Sequence, residues 1–518
     1  MTTPMNGAES LVRTLVAGDV TVSFTNPGTS EMHFVAALDR VDGMRCVLCL
    51  HETVATGAAD AYFRMKDSPA STLLHLGPGL ANGLANLHNL KRARTGVVNI
   101  VGEHATYHIH HDAPLTSDIE GIAGTMSKWV RTSASSKVVA QDGADAIVAA
   151  RQHPGQIATL ILPADTAWND GSGPVAVPSA IAPEKVSDAA IEAAAKAIEA
   201  GGRPLILLGT RAVRAQATEH AARIAAKTGA KVLAETSNGR IERGAGRYAI
   251  ERLPYPVDAA LAATAGITHV ILVGAKAPVA FFAYPNKPSL LYPENAEVVE
   301  LAAFSEDQED ALARLAERLG ADKTMPVLSA ASRPARPSGP LNTDAIAKVI
   351  GHLLPENCIV TDESVTTGRN FFKDTHGAPQ HDWLSLTGGA IGDGLPLAVG
   401  AAVACPDRKV VALQADGSGM YSVQALWTMA RERLDVVVCI WANSAYAILK
   451  GELANVGAKN PGRKAHDMLS LADPDIDWVQ LAGGMGIEAR KVETAEAFAD
   501  VFAAAVSRKG PFLIQVTF

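Results

Sequence analysis

No uninterrupted apolar run among the 518 residues approaches the roughly 20 that a membrane-spanning helix needs, so no membrane partner is expected. An excess of basic residues is also missing. Lys and Arg number 46 against 54 Asp and Glu, for a formal net charge of −8, which argues against nucleic acid or an anionic lipid surface as the main partner. The deficit is spread along the chain and reads as solubility. Cysteine is sparse: five residues, an odd number, exclude a disulfide scaffold and fit a reducing compartment. Cys46 and Cys49 have CxxC spacing but sit in the strand-like run Met44 to Leu50 with no second pair nearby, so a buried thiol pair is expected, not a zinc site. The start, Met1-Thr2-Thr3-Pro4, shows neither a basic flank nor an apolar signal core, and the cytoplasm is the expected location. No Gly-x-Gly-x-x-Gly with a following acidic residue appears after the first strand, which speaks against a nicotinamide-dependent dehydrogenase.

The chain is 48% hydrophobic and 19% charged, the composition of an ordinary globular protein, and it is long enough for about three domains. Helical and strand-like runs alternate from residue 6 to about 170, again from 186 to 320, and again from about 342 to Phe518. Alternation of this kind predicts parallel sheets covered by helices. The expected fold class is therefore α/β, with three consecutive open parallel-sheet domains over residues 1–170, 185–320 and 342–518. Linkers are expected at Trp168 to Pro183 and in the proline-rich stretch Asp322 to Pro340. The first and third units share a texture that fits two similar sheets with a third between them in sequence.

Chemistry concentrates in two places. From Gln414 to Lys450 the pattern reads as strand, tight turn, helix, strand. The turn carries Asp416, Gly417 and Ser418 onto a helix start, where unpaired N–H groups favour a phosphate. Asn443 ends the second strand 27 residues after Asp416, at the edge where open α/β sheets bind ligands. Both residues offer oxygen only, which suits a hard divalent ion such as Mg²⁺ that also takes oxygens from a diphosphate. In the first unit, Glu52 stands where an apolar strand gives way to a helix, a position that the helix dipole alone would favour. Asn26-Pro27-Gly28-Thr29-Ser30-Glu31 forms a turn with Ser30 or Thr29 as a helix cap. His75 ends a strand before Gly77-Pro78-Gly79, and His110-His111 lie in a loop or structural turn. A second Gly-Asp-Gly, Gly392-Asp393-Gly394, lies 50 residues before Asn443. Its Asp393 is read as an N-terminal residue of the helix Leu395 to Cys405, not as a metal ligand.

Taken together, these stretches resemble the thiamine diphosphate-dependent 2-oxo acid decarboxylase and acetolactate synthase superfamily. The motifs are most similar to those of benzoylformate decarboxylase, and the resemblance extends over the whole chain. The family motif of Gly-Asp-Gly, a spacer and Asn-Asn is imperfect here: Ala415 replaces the first Gly and Ala442 the first Asn. The resemblance implies a pyrimidine-binding domain, a central domain and a diphosphate-binding domain, in that order. It implies thiamine diphosphate and Mg²⁺ as cofactors, with the metal held by Asp416, Asn443 and the carbonyl of Ala445. FAD is not expected. Asn26, Pro27, Asn82, Gly417, Ser418, Tyr446, Ala447 and Ile448 would also contact the cofactor, and the glycine run from Thr387 through Gly389 would let the backbone approach its aminopyrimidine. Glu52 would hold a proton on the pyrimidine so that its imine can deprotonate the thiazolium, and Ile391 would prop the cofactor in its folded shape. Thr29 would face the substrate carboxylate, His75 or, as second-rank candidates, His110 and His111 would handle protons, and Ile448 and Leu449 would wall the substrate pocket. The implied reaction is non-oxidative decarboxylation of a 2-oxo acid with a bulky or aromatic side chain through ylid and enamine to an aldehyde, in a homodimer or homotetramer with the cofactor at the subunit interface. The nearest alternative is carboligation of the acetolactate synthase or benzaldehyde lyase type, and a more distant one is a noncatalytic relative.

Overall fold

The computed structural model describes residues 5–518. The first sheet contains β1 (Val22–Asn26), β2 (Arg45–Leu48), β3 (Ala70–Leu74), β4 (Val97–Glu103), β5 (Trp129–Thr132) and β6 (Ile157–Pro163). Its order is β2-β1-β3-β4-β6-β5, parallel throughout. The chain then forms β7 (Pro204–Leu208), β8 (Lys231–Ala234), β9 (Ile241–Arg243), β10 (Glu251–Arg252), β11 (His269–Val273) and β12 (Glu297–Ala302). Five of these make the second sheet, β10-β8-β7-β11-β12. The third sheet is built from β13 (Ile359–Glu363), β14 (His381–Ser385), β15 (Val410–Ala415), β16 (Val436–Ala442), β17 (Glu488–Val492) and β18 (Phe512–Thr517). Strand β9 crosses over to pair antiparallel with β14 at the edge of this sheet, a crossing that three consecutive sheets do not anticipate.

Read from β14, the third sheet runs β14-β13-β15-β16-β18-β17. This is the succession of the first sheet, so the shared texture of the outer segments reflects one topology used twice. In both sheets the order reverses between the first and third strands, β1 and β3 or β13 and β15. Open α/β sheets bind ligands at such a reversal, beyond the carboxyl ends of the strands. In the first sheet that point is flanked by Asn26 and His75, in the third by Glu363 and Asp416.

The helices that follow β2 and β14 lock the outer units together. Helix Glu52–Lys66 starts where His51 Nδ1 accepts the Thr53 N–H at 3.1 Å, and it stops at Asp67 in the left-handed region. Almost all of its residues are buried because it lies against helix Gly394–Ala404, which is apolar all round and entirely buried. At Gly400 a Cβ would meet the Ala58 carbonyl oxygen at 1.9 Å, so any side chain there would force the helices apart. Arg64, 1% exposed, joins all three segments: its guanidinium donates to Asp60 at 2.9 and 2.5 Å, to the Ser385 carbonyl at 2.8 Å and to the Gly239 carbonyl at 3.2 Å.

Two local expectations are corrected. Only Cys49 is buried and Cys46 is exposed, because residues three apart on a strand point to opposite faces. Neither Ser30 nor Thr29 caps the helix at residue 31. Both lie inside a 3-10 turn, Thr29–Glu31, capped by Gly28, whose N–H the Glu31 carboxylate accepts at 2.6 Å, and the α-helix that follows, Met32–Arg40, has Glu31 itself at its cap position. Asp393 stands at the N-terminus of helix Gly394–Ala404, as expected, although its side chain makes no capping bond. It lies buried beside Arg64, Asp60 and Glu363, with neither oxygen hydrogen-bonded, Oδ2 3.8 Å from the Arg64 guanidinium, and its carboxyl pushed well above the usual range by burial.

His381, at the start of β14, is buried with its Nδ1 2.7 Å from the Pro379 carbonyl and its Nε2 unpartnered. Burial and the neighbouring Arg243 lower its pKa to about 3. It therefore stays neutral in the folded chain while an unfolded histidine takes up a proton below about 6.5. The stability this contributes is complete above that pH and declines as pH falls from 6.5 toward 3. Between pH 6.5 and 5 the loss is about 2 kcal/mol, at about 1.4 kcal/mol per unit. Urea titrations at pH 7 and 5 should show His381→Gln losing less stability on acidification than the parent chain by about that amount.

Candidate active site and cofactor cleft

The first half of the site gathers at the carboxyl ends of β1, β2 and β3. Glu52 opens its helix, is 8% exposed, and its Oε2 accepts from Asn82 Nδ2 at 3.1 Å. Asn82 belongs to helix Leu76–Ala93, which begins directly after β3. Asn26, the last residue of β1, donates through Nδ2 to the Cys49 carbonyl at 2.8 Å and so ties down the lead-in to Glu52. His75 is the residue before the Leu76–Ala93 helix, and its Nδ1 lies 2.8 Å from Glu31 Oε2. A carboxylate only accepts, so Nδ1 carries the hydrogen and Nε2 is left as the basic nitrogen. Glu31 is 1% exposed and is satisfied by three donors: His75, Gly28 N at 2.6 Å and Ser30 Oγ at 2.6 Å. Pro27 is half-buried and Thr29 is exposed at the rim. His110 and His111 sit in a short 3-10 turn, exposed, with their rings 3.9 Å apart.

The second half lies at the ends of β13, β15 and β16. Asp416 is 3% exposed. Its Oδ1 accepts from Gly417 N and its Oδ2 from Ser444 N, both at 2.7 Å, which bridges the turns after β15 and β16. Ser444 reaches this position through a left-handed backbone, φ 51°. Asn443 Oδ1 accepts from Ala445 N at 3.1 Å. The carbonyls of Ser444 and Leu469 accept from Leu471 and Tyr446 N–H, and the Ala445 carbonyl takes no part in that ladder. Burial raises the Asp416 carboxyl above the usual range despite these N–H bonds, leaving an acidic oxygen pair short of positive charge. Among the described residues no three His, Cys, Asp or Glu side chains gather as a metal site, so a divalent ion here would draw on Asn443 and carbonyl oxygens as well. This all-oxygen set fits Mg²⁺. The phosphate end fits too. A Cβ on Gly417 would lie 2.5 Å from the Tyr446 ring, so the ring packs on bare backbone, and Ser418 Oγ is held by Gln414 Nε2 at 2.7 Å. Ala447 and Ile448 open the following helix half-buried, while Leu449 is exposed.

Between the halves runs the loop from Thr387 to Asp393. Thr387 Oγ1 donates to the Asn89 carbonyl at 2.9 Å, and Asn89 also holds Ala390 through both backbone groups. Asn86 Nδ2 reaches the Thr53 carbonyl at 2.8 Å and the Gly392 carbonyl at 3.4 Å. Ile391 is half-buried. Within one chain, among the described residues, no hydrogen bond or ion pair joins the Glu52 carboxylate to the Asp416 turn.

Sequence reasoning passed over four residues. Glu31 orients His75, and its signal was the acidic residue three positions after Gly28. Glu363 ends β13 at the order reversal, visible only as an acid after the apolar run of Cys358 to Val360. Gln414 precedes the Asp416 turn by two residues. Phe281, from the central segment, stacks over Gly389, where a Cβ would be 2.5 Å from its ring, and no pattern in the sequence signals that contact. A cleft of about 650 Å³ opens beside Asp416, Ser444, Trp478, Arg490 and Lys491. A second cavity of about 510 Å³, lined by Arg247, His381 and Arg408, lies at the opposite, amino-terminal edge of the third sheet.

A family model described as thiamine pyrophosphate enzyme, N-terminal TPP binding domain, matches residues 5–122, and its C-terminal TPP binding domain counterpart matches residues 368–516. The Mycobacterium tuberculosis protein named "Putative acetolactate synthase large subunit IlvX" is 52% identical over 514 residues, covering 99% of each chain. A benzoylformate decarboxylase of Pseudomonas aeruginosa is 29% identical over 526 residues, covering 96% of each. The structure of a Rhodococcus jostii thiamine diphosphate-dependent 4-hydroxybenzoylformate decarboxylase superposes with a TM-score of 0.84 over 99% of both chains, at 24% identity, a likeness of fold. Every site residue singled out from the sequence falls inside the two matched domains, and one relative is more than half identical along nearly its whole length: the chain belongs to the thiamine pyrophosphate enzyme family.

Proposed function

We propose that the chain catalyses the non-oxidative decarboxylation of a 2-oxo acid to an aldehyde, dependent on thiamine diphosphate and Mg²⁺. The observation that carries this reading is the pairing of a buried, Asn82-held Glu52 with an all-oxygen clamp at Asp416 and Asn443, each beyond the carboxyl ends of the strands of its sheet. Asp416, Asn443 and the Ala445 carbonyl would hold the metal. The N–H groups of the turn from Gly417 and the Ser418 hydroxyl would receive the diphosphate. When bound, thiamine diphosphate supplies a carbon nucleophile and accepts the electron pair that CO₂ leaves behind. Glu52, buried and held by Asn82, would keep a proton on a ring nitrogen of the bound cofactor, in surroundings dry enough for that bond to matter. His75 gives and takes a proton at Nε2 while Glu31 fixes its ring, and Thr29 Oγ1 meets the substrate carboxylate. Ile448, Leu449 and Phe281 offer apolar surface to the substrate side chain. Among the described residues no hydrogen bond or ion pair joins the Glu52 carboxylate to the Asp416 turn within a chain, and the cofactor is assigned to the interface of a homodimer, or of a homotetramer made of two such pairs.

Carboligation is kept as a second reading because the relative at 52% identity is named as an acetolactate synthase subunit. A panel of 2-oxo acids assayed for CO₂ release, with and without thiamine diphosphate and Mg²⁺, tests the chemistry. Adding an acceptor aldehyde or a second 2-oxo acid separates the readings: free aldehyde supports decarboxylation, a hydroxy ketone or 2-hydroxy-3-oxo acid supports carboligation. Absence of cofactor-dependent CO₂ release with every acid would overturn both.

Cofactor binding should also be visible without turnover. Thiamine diphosphate and Mg²⁺ at about 100 times the dissociation constant should stabilise the fold by about 2.7 kcal/mol, read as a rise in melting temperature. Chelating the metal with EDTA should abolish that rise, and an unchanged melting temperature would count against the clamp at Asp416.

A further inference from the structure

The carboxylate of Glu363 is 2% exposed and lies at the end of β13, beside the order reversal of the third sheet. Four donors converge on it. Its Oε1 accepts from Gly392 N at 2.7 Å and Asp393 N at 3.3 Å, and its Oε2 from Gly394 N at 3.0 Å and Gln414 Nε2 at 2.9 Å. The same Gln414 amide reaches Ser418 Oγ at 2.7 Å. One continuous set of hydrogen bonds therefore crosses the crevice, from the loop that carries Gly389 and Ile391 to the turn that carries Asp416 and Ser418. A carboxylate against the N–H groups of a helix start is a favourable arrangement, but a cap alone needs no link to a second loop.

The repeated topology supplies an independent argument. Asn26 ends β1 as Glu363 ends β13, and each is the last residue of the first strand of its sheet. Asn26 ties the lead-in to the helix after β2 by donating to the Cys49 carbonyl. Glu363 ties the lead-in to the helix after β14 by accepting from residues 392–394. In one half the segment held is the one carrying Glu52, in the other the one carrying Ile391. Both devices fix a loop against the central crevice, using opposite hydrogen-bond polarity.

We propose that Glu363 is a positioning residue for the cofactor: it holds the loop from Gly389 to Gly394 and, through Gln414, the Asp416 to Ser418 turn as one rigid clamp. The two ends of a bound thiamine diphosphate are then registered against each other before binding, and the ordering cost is not met at the moment of association. The inference rests on the thiamine diphosphate reading. It assigns no contact between Glu363 and the cofactor.

The test compares two ligands in the full-length protein. Thiamine diphosphate needs both loops, whereas inorganic pyrophosphate with Mg²⁺ needs only the turns at Asp416 and Asn443. Glu363→Gln keeps the shape but sets an amide NH₂ against N–H donors, so at least one bond to the loop is lost. Its dissociation constant for thiamine diphosphate should rise at least about 10-fold while that for Mg²⁺ with pyrophosphate stays within about threefold. Equal weakening of both ligands would reduce Glu363 to a structural cap and overturn the inference, as would unchanged affinity for thiamine diphosphate. If Glu363→Gln does not fold, Gln414→Met cuts the bridge from the other side, and the same unequal weakening, at least about threefold for thiamine diphosphate, is required. Failure of the unsubstituted chain to bind thiamine diphosphate would sink the underlying reading itself, an outcome distinct from a variant that binds as well as its parent.

Discussion

Replacing Glu52 with glutamine is expected to lower turnover of the 2-oxo acid by about 10²- to 10⁴-fold, the range a positioned proton-transfer group contributes. The substitution is nearly isosteric, and a glutamine can still present its oxygen to Asn82 Nδ2, the partner of Glu52 at 3.1 Å. Helix Glu52–Lys66 keeps its first turn, because His51 and not residue 52 supplies the cap. The melting temperature should therefore move little, and thiamine diphosphate should still bind. What would be lost, on the proposed mechanism, is a group that carries charge and exchanges a proton with a ring nitrogen. The measurement is kcat with cofactor at saturation beside the dissociation constant for thiamine diphosphate. A variant that keeps more than about a tenth of the parent's kcat would remove Glu52 from the chemistry. His75→Ala is a useful contrast, since it leaves Glu31 with a buried acceptor short of one donor, so a loss there mixes stability with proton transfer.

How much of this site the sequence reveals depends on how local each feature is. Glu52, Asp416 and Asn443 each stand at a strand end followed by a turn or helix, a signal written within a few neighbouring residues, and the structure places all three at strand or helix boundaries facing the expected edge. The α/β class was equally legible, because alternating apolar runs mark parallel sheets whatever their order. The order itself was not legible. That β13 lies between β14 and β15, making Glu363 a residue of the crevice, depends on pairing between strands some 20 to 50 residues apart, which no periodicity records. The same holds for β9, three residues of the middle segment that pair with β14, and for Phe281 over Gly389. Cys46 shows the opposite failure: its apolar neighbours suggested burial, but β2 is an edge strand and residue 46 points away from the core.

With Asp416 as the proposed metal ligand, Asp416→Ala should weaken binding of thiamine diphosphate in the presence of Mg²⁺ by at least about 100-fold, since loss of a direct ligand exceeds the 10- to 100-fold cost of losing an outer partner. It also leaves the N–H groups of Gly417 and Ser444 without their acceptor, so the turns after β15 and β16 lose their bridge. The more telling experiment combines the two variants. Glu52→Gln and Asp416→Ala are each expected to be inactive alone. If a working site takes Glu52 from one copy and Asp416 from another, a mixed dimer contains one site in which both residues are intact and one in which both are changed. Random assortment of equal amounts, by co-expression, makes about half the dimers mixed, with one of their two sites intact, so about a quarter of the parent's activity should return. If instead both residues serve the site of a single chain, every site in the mixture carries one lesion and no activity returns. Recovery near a quarter would show that the cofactor spans two subunits, and a mixture as inactive as its components would place the whole site within one chain and overturn the interface assignment.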